Sequence, residues 1–190
     1  VISYMGEIIA QATEDSIWSG TNVAGQFNGF LGNVTGLLLP GVDATVVQDA
    51  AAAVPYTAGN IIANLQSAVA NIPTTTLGKE DLHIYISQRT YQYYISAVST
   101  LGYVNAYNMN GDYIPMFEGY KLAVCNGMEE NQMVVAQKSN LFFGTDLLSD
   151  ATRINLMDMS TLDGSDNIRM VARYSAGVQT GTGADIVRQS

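Results

Sequence analysis

The chain has 190 residues, 47% hydrophobic and only 13% charged, with a net charge of −9. That length buries roughly 70% of the unfolded surface in one domain or two small intertwined ones, and charge well below the ~25% of typical globular chains leaves an uncharged polar surface suited to packing against other subunits. All eight Lys and Arg lie between Lys79 and Arg188, and this scatter on an acidic chain excludes a generic nucleic-acid binder with its clustered basic face.

Residues 1–78 hold Glu7, Glu14, Asp15, Asp43 and Asp49 and no base. The chain starts at Val1 and enters helical periodicity at once, which predicts that an N-terminal part has been removed. Met5, Ile8, Ile9 and Ala12 fall at i, i+3, i+4 and i+7, so residues 3–19 read as an amphipathic helix. Gly20 fits a left-handed cap that stops it. Residues 20–45 then alternate turn formers with short apolar groups and predict an extended connection with a strand near Thr35 to Leu39.

A second helix is predicted from about Thr57 to Asn71, on the stripe Ala58, Ile61, Ile62, Leu65 and Val69, ended by Pro73. "DLHIYIS" alternates Leu82, Ile84 and Ile86 against His83 and Tyr85, as a strand does. Ser87 is placed to cap a third helix with the stripe Tyr91, Tyr94, Ile95, Val98 and Leu101, and Gly102 lies beyond its end. "YKLAVCN" and "QMVVAQK" follow as strands, which predicts a mixed sheet with helices packed on it and an α+β fold. After Ser139 only strands are predicted: "NLFFGTD", "RINLMDM", and one long strand from about Asn167 to Gln179. With the turn-rich "STLDGSD" between them, residues 153–178 read as one long antiparallel hairpin.

Catalytic patterns are sparse. The Gly-Lys pair, Gly78 and Lys79, is followed by Glu80 instead of Ser or Thr, and the glycines at 20, 25 and 29 follow a helix instead of opening one, so neither reads as a phosphate loop. "GTGADI" lacks a third glycine and reads as a tight turn. His83 is the only histidine and has no G-x-S-x-G or second His to work with, so a solvated or interface role is expected. Asp158, Asp163 and Asp166 with Gly164 fail the calcium-loop spacing, and Asp146 with Asp150 is a carboxylate pair that nothing places in a cleft. Cys125, the single cysteine, sits in an apolar alternation and reads as a buried, unreactive thiol. Tyr91, Tyr93 and Tyr94 read as packing a helix on the sheet or contacting a neighbouring subunit rather than stacking bases, and the "NVT" sequon at 33–35 carries no meaning without a secretion signal. No run approaches the ~20 apolar residues of a membrane span, and the chain is expected to be an intracellular soluble product.

The order of these segments resembles the major capsid proteins of tailed bacteriophages, with the Hong Kong 97-like fold. "GTNVAGQFNGFL" is similar to the link after that family's spine helix, where Gln26 to Phe30 stands for "QPxGL" with Phe27 in place of proline. "LHIYISQRTYQYYISAVSTLG" resembles its strand and helix, with Ser87 and Gln88 in place of Asn-Pro. "MFEGYKLAVCNGM" is similar to its "LxGxpVxxxxxM", with Gly119 and Met128 at matching places. "ENQMVVAQKSNLFFGTDLLSDATRINLMDM" and "NIRMVARYSAGVQTGTGADIV" are similar to its later strands.

The resemblance implies a peripheral domain from residues 1–42 and 139–178, carrying the spine helix and long hairpin, and an axial domain from 43–138 and 179–190. It implies a fragment from the spine helix onward, without the family's N-terminal arm and extended loop, trimmed by design or by proteolysis. Its function would be structural: an icosahedral phage head that self-assembles around the packaged genome in the bacterial host cytoplasm, not an enzyme. Partners would be the chain itself in pentamers and hexamers, with a scaffolding protein, portal and maturation protease, packaged DNA only non-specifically, and no membrane. No catalytic, cofactor-binding or metal-ligating residue is assigned, and no cofactor. The alternatives are an encapsulin-type cellular shell protein, or a small-ligand enzyme domain using His83 and a carboxylate.

Overall fold

The stripe that begins at Met5 folds as helix α1, Ile2–Ser19. The computed structural model describes residues 2–23, 25–49, 55–102, 115–146, 154–161, 164, 166–172 and 175–190. Within these, Val47–Asp49 forms β1, Ile61–Ala70 α2, Leu82–Ser87 β2, Gln88–Thr100 α3, Met116–Phe117 β3, Tyr120–Cys125 β4 and Met133–Gln137 β5. Leu141–Thr145 forms β6, Ile154–Asp158 β7, Ile168–Ala172 β8, Ala176–Thr180 β9 and Val187–Gln189 β10.

Six strands make one mixed sheet in the order β1-β10-β5-β2-β4-β3. β1 runs parallel to β10 and β2 parallel to β4, while β5 is antiparallel to both β10 and β2. The mixed sheet with helices packed on it is the α+β arrangement that the sequence predicts.

Period-two alternation assigns the two faces of this sheet. Met133 and Val135 of β5 join Leu82, Ile84, Ile86, Leu122 and Val187 in a cluster with Ile61, Leu65 and Ala68 of α2 and Ala97 of α3. Val134 and Ala136, the alternate residues of β5, face the other way into a cluster with Trp18, Phe30, Leu31, Leu38, Met128 and Ile186. So two helices cover one face, and the end of α1 with the loop after it covers the other.

α3 has the predicted cap: the Ser87 hydroxyl oxygen accepts the Thr90 N–H at 3.2 Å, and Gly102 takes φ +84° beyond the end. α2 begins later than predicted. The Asn60 side chain accepts the Thr57 N–H at 2.7 Å and donates to the Pro55 carbonyl at 3.0 Å, which holds 57–60 as a turn and starts the helix at Ile61.

Three other expectations are corrected. Gly20 is not left-handed; positive φ falls instead on Asn22 and Gly25, and Gly20 is required by close approach, since a Cβ there would lie 2.1 Å from the Phe27 carbonyl. Residues 35–39 form turns, not a strand: the Gly36, Leu37 and Leu38 amides donate to the carbonyls of Gly32, Gly29 and Phe30. The long strand is two strands with different partners. β8 pairs antiparallel with β7, as the predicted hairpin requires, but β9 pairs with β6. Thr145 stands opposite Ala176 but Ile154 stands opposite Ala172, nine positions on along one arm and four back along the other, so the register of one ladder cannot continue into the other.

Candidate assembly surface

The glycine-rich stretch after α1 is a clamp on the helix end. The last turn of any helix leaves carbonyls without intrahelical partners. Here the returning chain supplies donors: Phe30 N–H to the Ile17 carbonyl at 2.9 Å and Leu31 N–H to the Trp18 carbonyl at 2.7 Å. Thr21 and Asn28 bridge in antiparallel sense, and Gly29 N–H meets the Gly20 carbonyl at 2.9 Å. Such approach needs residues without Cβ; one on Gly29 would lie 2.7 Å from both the Gly20 amide and the Ser16 carbonyl.

The opposite side of the helix end is held by the turn between β4 and β5. Asn126 N–H donates to Glu14 Oε1 at 2.8 Å, and Ser19 Oγ donates to the Gly127 carbonyl at 3.0 Å. Trp18, at this helix end, is buried, with ring centroids 5.6 Å from Phe30 and 5.4 Å from Tyr85 of β2. Sequence reasoning gave Glu14 and Gly127 no role. The signal that could have found them is the Asn-Gly turn after a strand, which leaves two amides free to take a carboxylate.

Beyond this clamp α1 stands largely uncovered. Met5 and Ile9 are half-buried, whereas Tyr4 and Ile8 are 65% and 43% exposed. The β6–β9 ribbon presents Phe142 and Phe143, each about half exposed, with Phe143 6.4 Å from Phe27. The β7–β8 ribbon presents Met157 and Ile168. These exposed apolar groups lie on α1 and the two ribbons.

Among the described residues, those weighed for chemistry are not brought together. His83 lies on β2 with Nδ1 2.8 Å from the Asp81 carbonyl and its ring 6.2 Å from Tyr85. Burial, then the Glu14 charge, pushes the Cys125 thiol up to about 12, so it is protonated and inert at neutral pH. Asp158 accepts the Ser160 N–H at 2.9 Å in a local turn, and the Ser160 hydroxyl and amide hold its carboxyl below the usual range. Asp150 and Asp163 lie outside the described residues. Gly183 of "GTGADI" packs against Asp43 and Thr45, and the Thr182 N–H binds Asn140 Oδ1 at 2.7 Å, a tight structural turn. Lys79 donates to Gln137 Oε1 at 3.1 Å. Among the described residues no three His, Cys, Asp or Glu side chains gather as metal ligands. An open cleft of about 350 Å³ at the start of α3 holds one cation, Arg89, already 3.5 Å from Glu130. Among the described residues no helix is long and apolar enough to cross a membrane.

No protein-family model and no curated protein matches the chain. Solved structures do. A chain of Mycobacterium phage Che8 is 13% identical with a TM-score of 0.56, over 76% of this chain and 53% of that one. A chain of the satellite phage P4 procapsid, in a structure including size determination (Sid) protein, is 13% identical with a TM-score of 0.55, over 99% of this chain and 61% of that one. This is the fold of phage capsid chains. The cyanophage A-1(L) capsid gives the same match at 14% identity and a TM-score of 0.50, over 99% of this chain and 66% of that one. The chain therefore spans about half to two thirds of the solved capsid chains it matches.

Proposed function

We propose that the chain is a structural subunit of an icosahedral phage head, which self-assembles into capsomers and a shell around the packaged genome. The observation that carries this reading is the end-to-end fold match, 99% of the chain against a chain of the P4 procapsid. The physical properties of the surface agree with it. Low charge lowers the desolvation cost of contacts between copies, α1 and the two ribbons offer uncovered apolar side chains, and a net charge of −9 discourages sticking to DNA phosphate.

In this reading residues 43–138 and 179–190 form the axial domain around the capsomer axis, and 1–42 with 139–178 form the peripheral domain. The partners are further copies in pentamers and hexamers, then a scaffolding protein, portal and maturation protease, and the place of action is the virion capsid, assembled in the bacterial host cytoplasm. The role is not enzymatic, because a shell needs contacts and not a reacting group. Expression of the complete reading frame that contains this chain tests the proposal. Rings or closed shells in negative-stain electron microscopy are expected; a product that stays monomeric at all concentrations, with or without its scaffold, would falsify it.

A further inference from the structure

α1 leaves one apolar ridge uncovered. Tyr4 and Ile8 are strongly exposed and Ala12 is exposed with them, at four-residue spacing along one face. Asp15, also exposed, continues that face toward the clamped end. The helix carries Glu7, Glu14 and Asp15 and no base, so pairing this ridge with the same ridge of another copy brings like charges together. What covers it must combine apolar side chains with a cation.

The β7–β8 ribbon offers that combination. Exposed Arg169 lies directly across the ladder from Met157, itself 45% exposed, and Val171 shares their face two residues along. The lengths are comparable: five paired residues span about 14 Å of strand, and Tyr4 to Asp15 about 17 Å of helix. Neither Asp15 nor Arg169 has an ion pair with another described residue; the pair present is Arg89 with Glu130.

We propose that the Tyr4–Ile8–Ala12 ridge of α1 receives the β7–β8 ribbon of a second copy, with Arg169 on Asp15 and Met157 and Val171 against Ile8 and Ala12. The contact joins different surfaces of two copies, so it is heterologous and can close into a ring. It rests on the shell reading above and names the surfaces that reading leaves open.

Charge reversal tests it in the expressed full reading frame, by sedimentation velocity and negative-stain imaging. Asp15→Arg and Arg169→Asp should each cut the assembled fraction by roughly tenfold or more, with Trp18 fluorescence unchanged. A chain carrying both reversals should restore assembly, because every ridge then meets a ribbon of opposite sign. Either single variant assembling like the parent, or a double variant as defective as the singles, overturns the docking and leaves the shell reading standing. A parent that never assembles overturns the shell reading, and the docking with it.

Discussion

Replacing Gly127 by alanine puts the clamp on α1 to the test. The added Cβ would lie 2.5 Å from the Glu14 carbonyl oxygen, 2.6 Å from its carbon and 2.7 Å from the Asp15 amide nitrogen. All three are backbone atoms of the helix, so none can swing aside, and the helix must retreat by about 1 Å to reach ordinary contact near 3.5 Å. That retreat strains the 3.0 Å bond from Ser19 to the Gly127 carbonyl and the 2.8 Å bond from Asn126 to Glu14. Overpacking costs about 1–3 kcal/mol, and losing a neutral and a charged hydrogen bond about 1 and 2 kcal/mol. The helix relieves one cost by accepting the other, so the expected loss is about 3 kcal/mol rather than the full sum. The one tryptophan, Trp18, sits at the clamped helix end and reports on it directly. In urea titrations followed by its fluorescence, the variant should unfold at lower urea with red-shifted native emission, and its melting temperature should fall by roughly 6–12 °C. Gly41→Ala is the control, since nothing lies within 4 Å of a Cβ there and its φ is ordinary; it should stay within about 0.5 kcal/mol of the parent. Equal midpoints for Gly127→Ala and the parent would refute the close-approach argument.

Asp81 accepts from Ser139 Oγ at 2.5 Å and Gln137 Nε2 at 2.8 Å, and these bonds, Ser139 first, lower its carboxyl to about 2. A depressed native pKa stabilises above the unfolded value near 4 and stops doing so as pH falls through the native value. Asp81→Asn should therefore be less stable than the parent at neutral pH, with the gap closing between about pH 4 and pH 2 in acid–urea titrations; a gap independent of pH contradicts the assignment. The Cys125 thiol, pushed up to about 12, should react with a thiol reagent at pH 8 about a thousandfold more slowly in the native protein than in urea, and equal rates would show an open thiolate. Tyr56→Phe removes the buried hydroxyl that donates to Gln189 Oε1 at 2.9 Å, and calorimetry should register a loss of about 1–3 kcal/mol; an unchanged melting temperature would mean that the acceptor finds another donor.

The parts of this fold legible in the sequence are those fixed by local periodicity. β2, α3 and its Ser87 cap, β4 and β5 follow from alternation, from the 3.6-residue stripe and from a cap that acts over three residues. What escaped is set by contacts distant in sequence. Nothing near Thr35–Leu39 announces that those amides turn back on carbonyls 29–32, which makes a turn of an apolar run that reads as a strand. The split of Asn167–Gln179 is likewise invisible locally, because it depends on two partner strands whose registers differ. The half-buried setting of Cys125 was legible in the apolar alternation around it. The clamp at Glu14 and Gly127 was not, since their contact spans more than a hundred residues.

The clamp and the exposed ridge are mechanically one device. Among the described residues, hydrogen bonds from other elements reach α1 only over its last turns, and an α-helix is stiff over this length, so its earlier part moves as a lever about the clamp. From Ser16 to Tyr4 the lever is about 18 Å long, and a tilt of 10° carries Tyr4 about 3 Å sideways. Three ångströms is most of a side-chain ridge, enough to lift Ile8 out of one groove and against the next. Backbone contacts at Gly20, Gly29 and Gly127 resist tilt better than side chains would, because a glycine contact has no rotamer to yield. Assembly should accordingly be more sensitive than stability to changes at these glycines. Gly127→Ala, a variant that remains folded at 20 °C, should still form markedly fewer rings or shells than a surface variant of equal stability; equal yields would mean that the helix angle does not govern how copies meet.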